Sequence, residues 1–223
     1  PLLGALIAGL GGERLPKHVA QIGTSALLVG SAVLATIVFF GVVDYHFDTV
    51  KPKDGIKYAD AIKVSLLPWF ASGDFKLDWA LRIDMLSATM FVVVTYVSAV
   101  VHIYSMGYMH GDEGVRRLHT YLSMFTFAML MLVSADNLVQ LFFGWEGVGV
   151  CSYLLIGYYF HKDSANKAAM KAFIVNRVGD VGFALGIFAI FMLVGSVEFD
   201  AIFKAKDGLL DQTIIGLPAV EVI

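Results

Sequence analysis

The chain has 223 residues, of which 58% are hydrophobic and only 16% are charged, and its formal net charge is −3. Soluble domains carry about 25% charged residues, so this deficit and the mean hydropathy of +0.74 indicate a membrane protein. No basic stripe runs along the sequence, which argues against nucleic-acid binding. Cys151 is the single cysteine, so a disulfide framework and a set of thiolates for an iron–sulfur cluster are both excluded.

Long apolar runs predict several membrane-spanning helices, because about 20 apolar residues cross the roughly 30 Å hydrocarbon layer. Residues 2–10 form a shorter apolar run, which we expect to be the end of a truncated first helix. A signal peptide is a poor interpretation of this run, since no basic region precedes it. Five complete spans are predicted at residues 21–43, 85–104, 118–133, 138–160 and 172–194.

The segment between the second and third spans, residues 44–84, mixes charges with prolines and is predicted to lie outside the membrane. Within it, residues 63–70 and 75–81 alternate imperfectly on either side of the turn-forming residues 71–74. This pattern predicts a β-hairpin at the membrane surface. The tail, residues 198–223, is predicted to be a further loop that begins another helix.

These elements predict an all-α polytopic membrane protein, a transmembrane helix bundle with one β-hairpin. We expect four regions. They are the peripheral N-terminal helices (1–43), the extramembrane loop with the hairpin (44–84), the third span with a charged loop (85–117), and the remaining spans (118–223).

The orientation follows from basic residues in short loops, which tend to face the cytoplasm or the matrix. The loops after the first, third and fifth spans are short and basic, whereas those after the second and sixth are longer and richer in aspartate. We therefore predict that the short loops face the cytoplasm or matrix. Their basic residues are Arg14, Lys17, Arg116, Arg117, Lys162, Lys167 and Lys171.

Glu146 is the first candidate functional residue, because it lies near the middle of the fifth predicted span. An ionised side chain at the bilayer centre costs about 3 kcal/mol on insertion scales, so it requires a partner, water or a proton. A carboxyl group in such surroundings can load and release protons. The simpler alternative is a protonated glutamate that hydrogen-bonds to a neighbouring helix.

Three glycines, Gly144, Gly147 and Gly149, surround this glutamate. Small residues let membrane helices approach closely, and Gly144 and Gly147 share a helical face. We therefore expect close helix packing that keeps Glu146 away from lipid.

A second polar group lies one to two turns into the sixth predicted span. Arg177 and Asp180 are three residues apart, so they share a helical face and can pair. A structural ion pair and a functional one are equally compatible with this spacing. In either case Asp180 and Glu146 could face a shared polar interior.

Histidines carry a weaker signal. His102 falls within a span, near its end, where a proton relay competes with an ordinary interfacial role; the other histidines lie in predicted loops or at span boundaries. A haem between helices requires two histidines at matching depth, and the predicted spans contain no such pair. No phosphate-binding loop, dinucleotide fingerprint or zinc spacing is present, so we expect no redox cofactor or metal in this chain.

Four motifs resemble the chain 5 (chain L) family of respiratory complex I, the largest antiporter-like membrane subunits of NADH–quinone oxidoreductase. They are GWEGVGVCSYLLIG at 144–157, YSMGYM at 104–109, RLHTYL at 117–122 and AAMKAFIVNRVGD at 168–180. Related antiporter subunits share the glutamate but lack the Asn-Arg-x-Gly-Asp run. The resemblance extends over essentially the whole chain.

The resemblance implies a larger bundle with two inverted helix repeats, the first of which begins within residues 118–223. It implies that Glu146 is a proton-channel residue, and that its lysine partner lies on the next helix, beyond Ile223. Asp180 and Arg177 match positions near the channel and the helix interface. The implied function is proton translocation coupled to quinone reduction in other subunits, which would hold NAD, FMN, iron–sulfur clusters and quinone.

The implied surroundings are other membrane-arm subunits and the lipid of a bacterial or mitochondrial inner membrane. Two alternatives stay open. One is the large subunit of a multisubunit sodium/proton antiporter, and the other is a scaffold whose charges only orient helices.

Overall fold

Helices that run back and forth between two ends of a bundle account for most of the computed structural model of this chain. It describes residues 1–49, 61–72, 75–210, 213–214 and 217–218. The elements are α1 (Leu2–Gly11), a short 3-10 turn (Gly12–Arg14), α2 (Lys17–Thr49), β1 (Ile62–Ser72), β2 (Phe75–Ile83), α3 (Met85–Tyr108), α4 (Val115–Val133), α5 (Leu138–Ile156), α6 (Asp163–Val194), α7 (Phe199–Leu210), β3 (Thr213–Ile214) and β4 (Leu217–Pro218).

Four helices in the described part of the chain, α2, α3, α5 and α6, are long and apolar enough to cross a membrane. The predicted fourth span is also a helix, the 19-residue α4, but it is more polar than the others. Its place explains this polarity, because α4 packs against α1, α2, α3 and α5 at once. A helix surrounded by protein buries polar groups among protein partners instead of exposing them to lipid.

The predicted start of the sixth span, residue 172, was wrong, and so was the loop predicted over most of residues 161–171. Helix α6 begins at Asp163 and has 32 residues. The charged residues of this segment interrupt the apolar run, but they do not disfavour a helix. Gly195, with φ of 74°, ends the helix in the left-handed conformation, as a C-terminal glycine commonly does. Arg177 and Asp180 therefore lie in the middle of α6.

The predicted hairpin is confirmed: β1 and β2 pair antiparallel, although Gly73 and Asp74 of its turn lie outside the described residues. Pro68 sits at an irregularity of the pairing, where the missing N–H is tolerated. The inner face of β2 packs on the helices through Leu77, which is buried with Ile187 and Val197.

An ion-pair cluster, which we call the hairpin anchor, joins the hairpin to the α4–α5 turn and to α7. It comprises Lys63 and Arg82 of the hairpin, Asp136 of the turn and Asp200 of α7. Lys63 Nζ lies 2.6 Å from Asp200 Oδ2, and Arg82 Nη1 lies 2.7 Å from Asp200 Oδ1. Hydrogen bonds from Lys63 and Arg82 lower the pKa of Asp200 to about 2. Partial burial works to lower the pKa of Lys63, but its bonds to the two aspartates outweigh this, and the net pKa is raised.

The opposite end of the bundle, the basic end, brings the short loops together through basic side chains. Lys17 Nζ donates to the carbonyl of Asp112 at 3.2 Å, and Arg117 donates to the carbonyl of Tyr158 at 2.7 Å. Arg116 Nη1 donates to the carbonyl of Leu15, in the loop before α2, at 2.8 Å. The basic residues of the predicted cytoplasmic or matrix loops therefore share one end.

Candidate functional site

Glu146 lies near the middle of α5 and contacts a cation from the neighbouring helix. Arg177 Nη1 of α6 lies 2.5 Å from Glu146 Oε1. Helix α5 begins at the Asn137 cap, whose side chain accepts from the Gln140 N–H at 2.8 Å. The position of this cap sets the depth of Glu146, which lies further along the same helix. The Glu146 side chain is 24% exposed in this chain, against 45% for Arg177.

Asp180 completes the cluster one turn further along α6. Its Oδ2 lies 3.6 Å from the same Arg177 nitrogen, and its Oδ1 accepts a hydrogen bond from Trp145 Nε1 at 2.9 Å. Only 8% of the Asp180 side chain is exposed. The structure thus brings together three of the four predicted site residues, Glu146, Arg177 and Asp180, and adds Trp145. The indole next to Glu146 along the chain was not predicted, because a membrane tryptophan more often marks an interface.

Close packing of α5 on α4 holds this cluster in place. A Cβ on Gly144 would lie 2.6 Å from the backbone of Leu132, and one on Gly147 would lie 2.9 Å from Ala128 Cβ. The expected close approach therefore occurs at these two glycines. Gly149 has no described neighbour within 4 Å of such a Cβ, so it takes no part in this contact.

The charges in the cluster do not balance. Two carboxylates share one guanidinium, which leaves one net negative charge when both are ionised. The same Arg177 nitrogen faces both carboxylates, at 2.5 Å from Glu146 and 3.6 Å from Asp180.

His102 does not belong to this cluster. It lies in α3, fully buried, with its ring centroid 5.4 Å from that of His119 in α4. The prediction that no two histidines meet at matching depth was wrong, because His119, which lies at the boundary of the predicted fourth span, is buried inside the bundle. The signal that could have found the pair is polar residues at helical spacing in both segments, Ser98-His102-Ser105 and His119-Ser123-Thr126.

The described residues contain no group of three or more histidine, cysteine, aspartate or glutamate side chains placed to hold a metal ion. The four ring nitrogens of His102 and His119 are all occupied by protein partners.

The fold is a transmembrane helix bundle of the antiporter-like class. Residues 135–219 match the transmembrane model of NADH:quinone oxidoreductase and Mrp antiporters. Two solved complexes share the fold. They are the Mrp complex from Dietzia sp. DQ12-45-1b (TM-score 0.71, 21% identity, 90% of this chain and 20% of that chain) and the archaeal membrane-bound sulfane sulfur reductase (TM-score 0.70, 16% identity, 91% and 37%).

Within that class, residues 69–119 match the model of the N-terminus of complex I chain 5. The chain is 49% identical over 215 residues to NADH-quinone oxidoreductase subunit L of Rickettsia bellii, covering 96% of this chain and 32% of the relative. It is 50% identical over 216 residues to that of Rhodobacter capsulatus (94% and 28%). NADH-ubiquinone oxidoreductase chain 5 of Allomyces macrogynus is 44% identical over 202 residues (91% and 30%).

The chain therefore belongs to the family of NADH–quinone oxidoreductase subunit L, or chain 5. It is a multi-pass protein of a bacterial or mitochondrial inner membrane. It spans about a third of the length of the curated relatives it matches.

Proposed function

We propose that this chain forms part of a proton pathway in the membrane arm of an NADH–quinone oxidoreductase, with Glu146 as the proton-carrying group. The observation that carries the proposal is the contact of Glu146 with Arg177, beside Asp180, in the middle of membrane helices. Oxidation of NADH and reduction of quinone belong, in this proposal, to other subunits that hold NAD, FMN and iron–sulfur clusters. The membrane-arm subunits and the lipid bilayer are its partners.

The proton balance of the cluster suggests how Glu146 and Asp180 divide the work. The Trp145 N–H donates to Asp180 Oδ1. The single excess proton then resides on Glu146 when Arg177 turns towards Asp180. When Arg177 returns to Glu146, the proton is expelled. A lysine on a later helix, as the family resemblance implies, would add a second cation that biases this exchange.

The energy scale is modest. Moving one proton against 100 mV requires about 2.3 kcal/mol, which is the same order as a hydrogen bond to a charged group, about 1.5–3 kcal/mol. The energy of breaking and remaking the Arg177–Glu146 contact is therefore of the same order as that of moving one proton against 100 mV. We also propose that residues 118–223 begin the first antiporter-like repeat, since the antiporter-type match at 135–219 falls inside this range.

The decisive experiment replaces Glu146 by glutamine in the full-length subunit within the assembled complex. Proton translocation into vesicles and quinone reductase turnover are measured together. We expect at least a tenfold loss of proton translocation per quinone reduced. Glu198→Gln is the matched control, because Glu198 lies at the start of α7, is exposed and undergoes the same chemical change. Full coupled pumping in Glu146→Gln would refute the proposal.

The sodium/proton antiporter is the second candidate, and its support is the similarity to the Mrp complex, which lies in the fold alone. It predicts sodium-dependent pH gradients in vesicles without quinone or NADH. Sequence identities of 44–50% to complex I subunits favour the first candidate.

A further inference from the structure

We infer that His119 and His102 form a second protonatable site, which takes up a proton near the basic end of the bundle and delivers it towards the depth of Glu146. This inference rests on the proposed function of Glu146 as the proton carrier. It concerns different helices, because the histidines lie between α2, α3 and α4 instead of between α5 and α6.

The site is part of a ladder of polar side chains between the antiparallel helices α3 and α4. Each helix contributes a stripe with the spacing i, i+4, i+7, so the two stripes meet in three rungs. The rungs are Ser105 Oγ with His119 Nε2 (3.2 Å), His102 Nε2 with Ser123 Oγ (3.1 Å), and Ser98 Oγ with Thr126 Oγ1.

The two histidines and their hydroxyl partners are enclosed by protein, and Ser98 at the inner rung is partly buried. His102, His119 and Ser123 have no exposed surface, and Thr126 is 1% exposed. Buried polar groups in a membrane are costly unless they are satisfied. A purely structural role could be filled by the small hydroxyl residues alone, which already join membrane helices in many proteins. Two imidazoles add something that hydroxyls lack, namely a basic ring nitrogen that can accept and release a proton.

Both nitrogens of the His119 ring face hydroxyl groups, which can accept from the ring or donate to it. Its Nδ1 lies 3.0 Å from Thr24 Oγ1, whose own proton is directed to the carbonyl of Ala20 at 2.8 Å. Its Nε2 faces Ser105 Oγ, whose proton is directed to the His102 carbonyl at 2.8 Å. Both ring nitrogens therefore face oxygen lone pairs. A neutral His119 requires one of these hydroxyls to rotate and donate to the ring, so loading and unloading differ by a single hydroxyl rotation.

His102 is arranged to exchange its proton at one nitrogen only. Its Nδ1 lies 2.8 Å from the Ser98 carbonyl, which can only accept, so this nitrogen keeps its hydrogen. Its Nε2 faces the Ser123 hydroxyl, which can either donate to it or accept from it. The hydrogen-bonding partners of both rings are neutral hydroxyls and carbonyls. Because the rings lie 5.4 Å apart, two positive charges would repel strongly here, so the pair can hold at most one excess proton.

The position of the ladder links the basic end to the depth of Glu146. His119 is in the first turns of α4, close to Arg116 and Arg117 of the basic end. Thr126 lies two turns deeper, about 10 Å along the axis. The contacts of Gly144 with Leu132 and of Gly147 with Ala128 place Glu146 level with residues 129–130 of α4. The inner rung is thus within about one turn, or 5 Å, of that level.

Glutamine at position 119 tests the inference, because it retains a donor and an acceptor but cannot hold the proton. In the assembled complex, we expect His119→Gln to lower proton translocation per quinone reduced at least twofold. The loss should shrink as the pH on the basic side is raised, since the imidazole of the unmodified protein is then protonated less often. Quinone reductase turnover with a protonophore should stay within about a fifth of the unmodified rate, because no redox group is touched.

Thr95→Val is the matched control. Thr95 is buried in α3 and bonds only to carbonyls of its own helix in the described structure, so its loss removes polarity without touching the ladder. His102→Gln should reproduce the effect of His119→Gln. Normal pumping in both histidine variants, with pumping lost in Glu146→Gln, would overturn the inference and leave the proposed function standing. Failure of both histidine variants to assemble would assign the ladder to helix packing and would also overturn the inference.

Discussion

Replacing Gly144 by alanine tests the close packing that positions Glu146. The added Cβ would lie 2.6 Å from both the Cα and the N of Leu132, whereas carbon atoms in contact ordinarily lie about 3.5–4.0 Å apart. The overlap is roughly 1 Å, and a backbone cannot rotate out of the way as a side chain can. Helices α4 and α5 would have to separate, and overpacking of this kind costs about 1–3 kcal/mol.

Gly149→Ala is the internal control for this substitution, because it makes the same chemical change in the same helix. No described atom lies within 4 Å of a Cβ on Gly149, so we expect it to be neutral or slightly stabilising, since alanine exceeds glycine in helix propensity by up to about 1 kcal/mol. Gly147→Ala should fall between the two, as it meets the Ala128 side chain at 2.9 Å.

The measurement is the thermal stability of the subunit in the detergent-solubilised complex, together with the amount assembled in membranes. We expect the order Gly149→Ala, Gly147→Ala, Gly144→Ala from most to least stable. Equal stability of the Gly144 and Gly149 variants would refute the reasoning, because it would mean that α4 and α5 are not in contact at this position.

Two further predictions concern the partners of the charged groups. Trp145→Phe removes the donor to Asp180. We expect it to lower proton pumping several-fold at unchanged quinone reductase turnover, because an unsatisfied acceptor costs about 1–3 kcal/mol. Unchanged pumping would contradict this. Because the pKa of Asp200 is lowered from 3.8 to about 2, its contribution to the hairpin anchor is complete above about pH 4 and is lost as the pH falls towards 2. We therefore expect the protease resistance of the hairpin to be constant between about pH 5 and pH 9. Asp200→Asn should reduce this resistance throughout that range. A steep change of the resistance near neutral pH would exclude the assigned ion pairs.

The hairpin anchor and the Glu146 cluster are linked through one short segment. The turn at residues 134–137 receives Arg82 through Asp136 and starts α5 through the Asn137 cap. Because Glu146 follows this cap along a continuous helix, movement of the hairpin would shift its depth. The hairpin therefore holds the start of the helix that carries the candidate proton carrier.

Several features were predictable because they depend on neighbouring residues alone. Apolar runs located α2, α3 and α5 to within a few residues at their starts, and alternation around a turn located the hairpin. Helix α6 was predicted to begin too late, because Lys167 and Lys171 end the apolar run while the helix continues through them. Hydropathy identifies the residues that can lie in the lipid layer, whereas a helix extends as far as its backbone hydrogen bonds continue.

By itself, the sequence determined that this is a membrane helix bundle, that one hairpin lies outside it, and that Glu146 is a carboxyl group at mid-depth. The tertiary structure alone decided that Arg177 reaches Glu146 as well as Asp180, and that His119 turns inward to meet His102. The physical reason is that these pairings depend on the rotation of each helix about its axis and on its register against its neighbours. Both are set by contacts such as Gly144 with Leu132, between residues that lie on different helices.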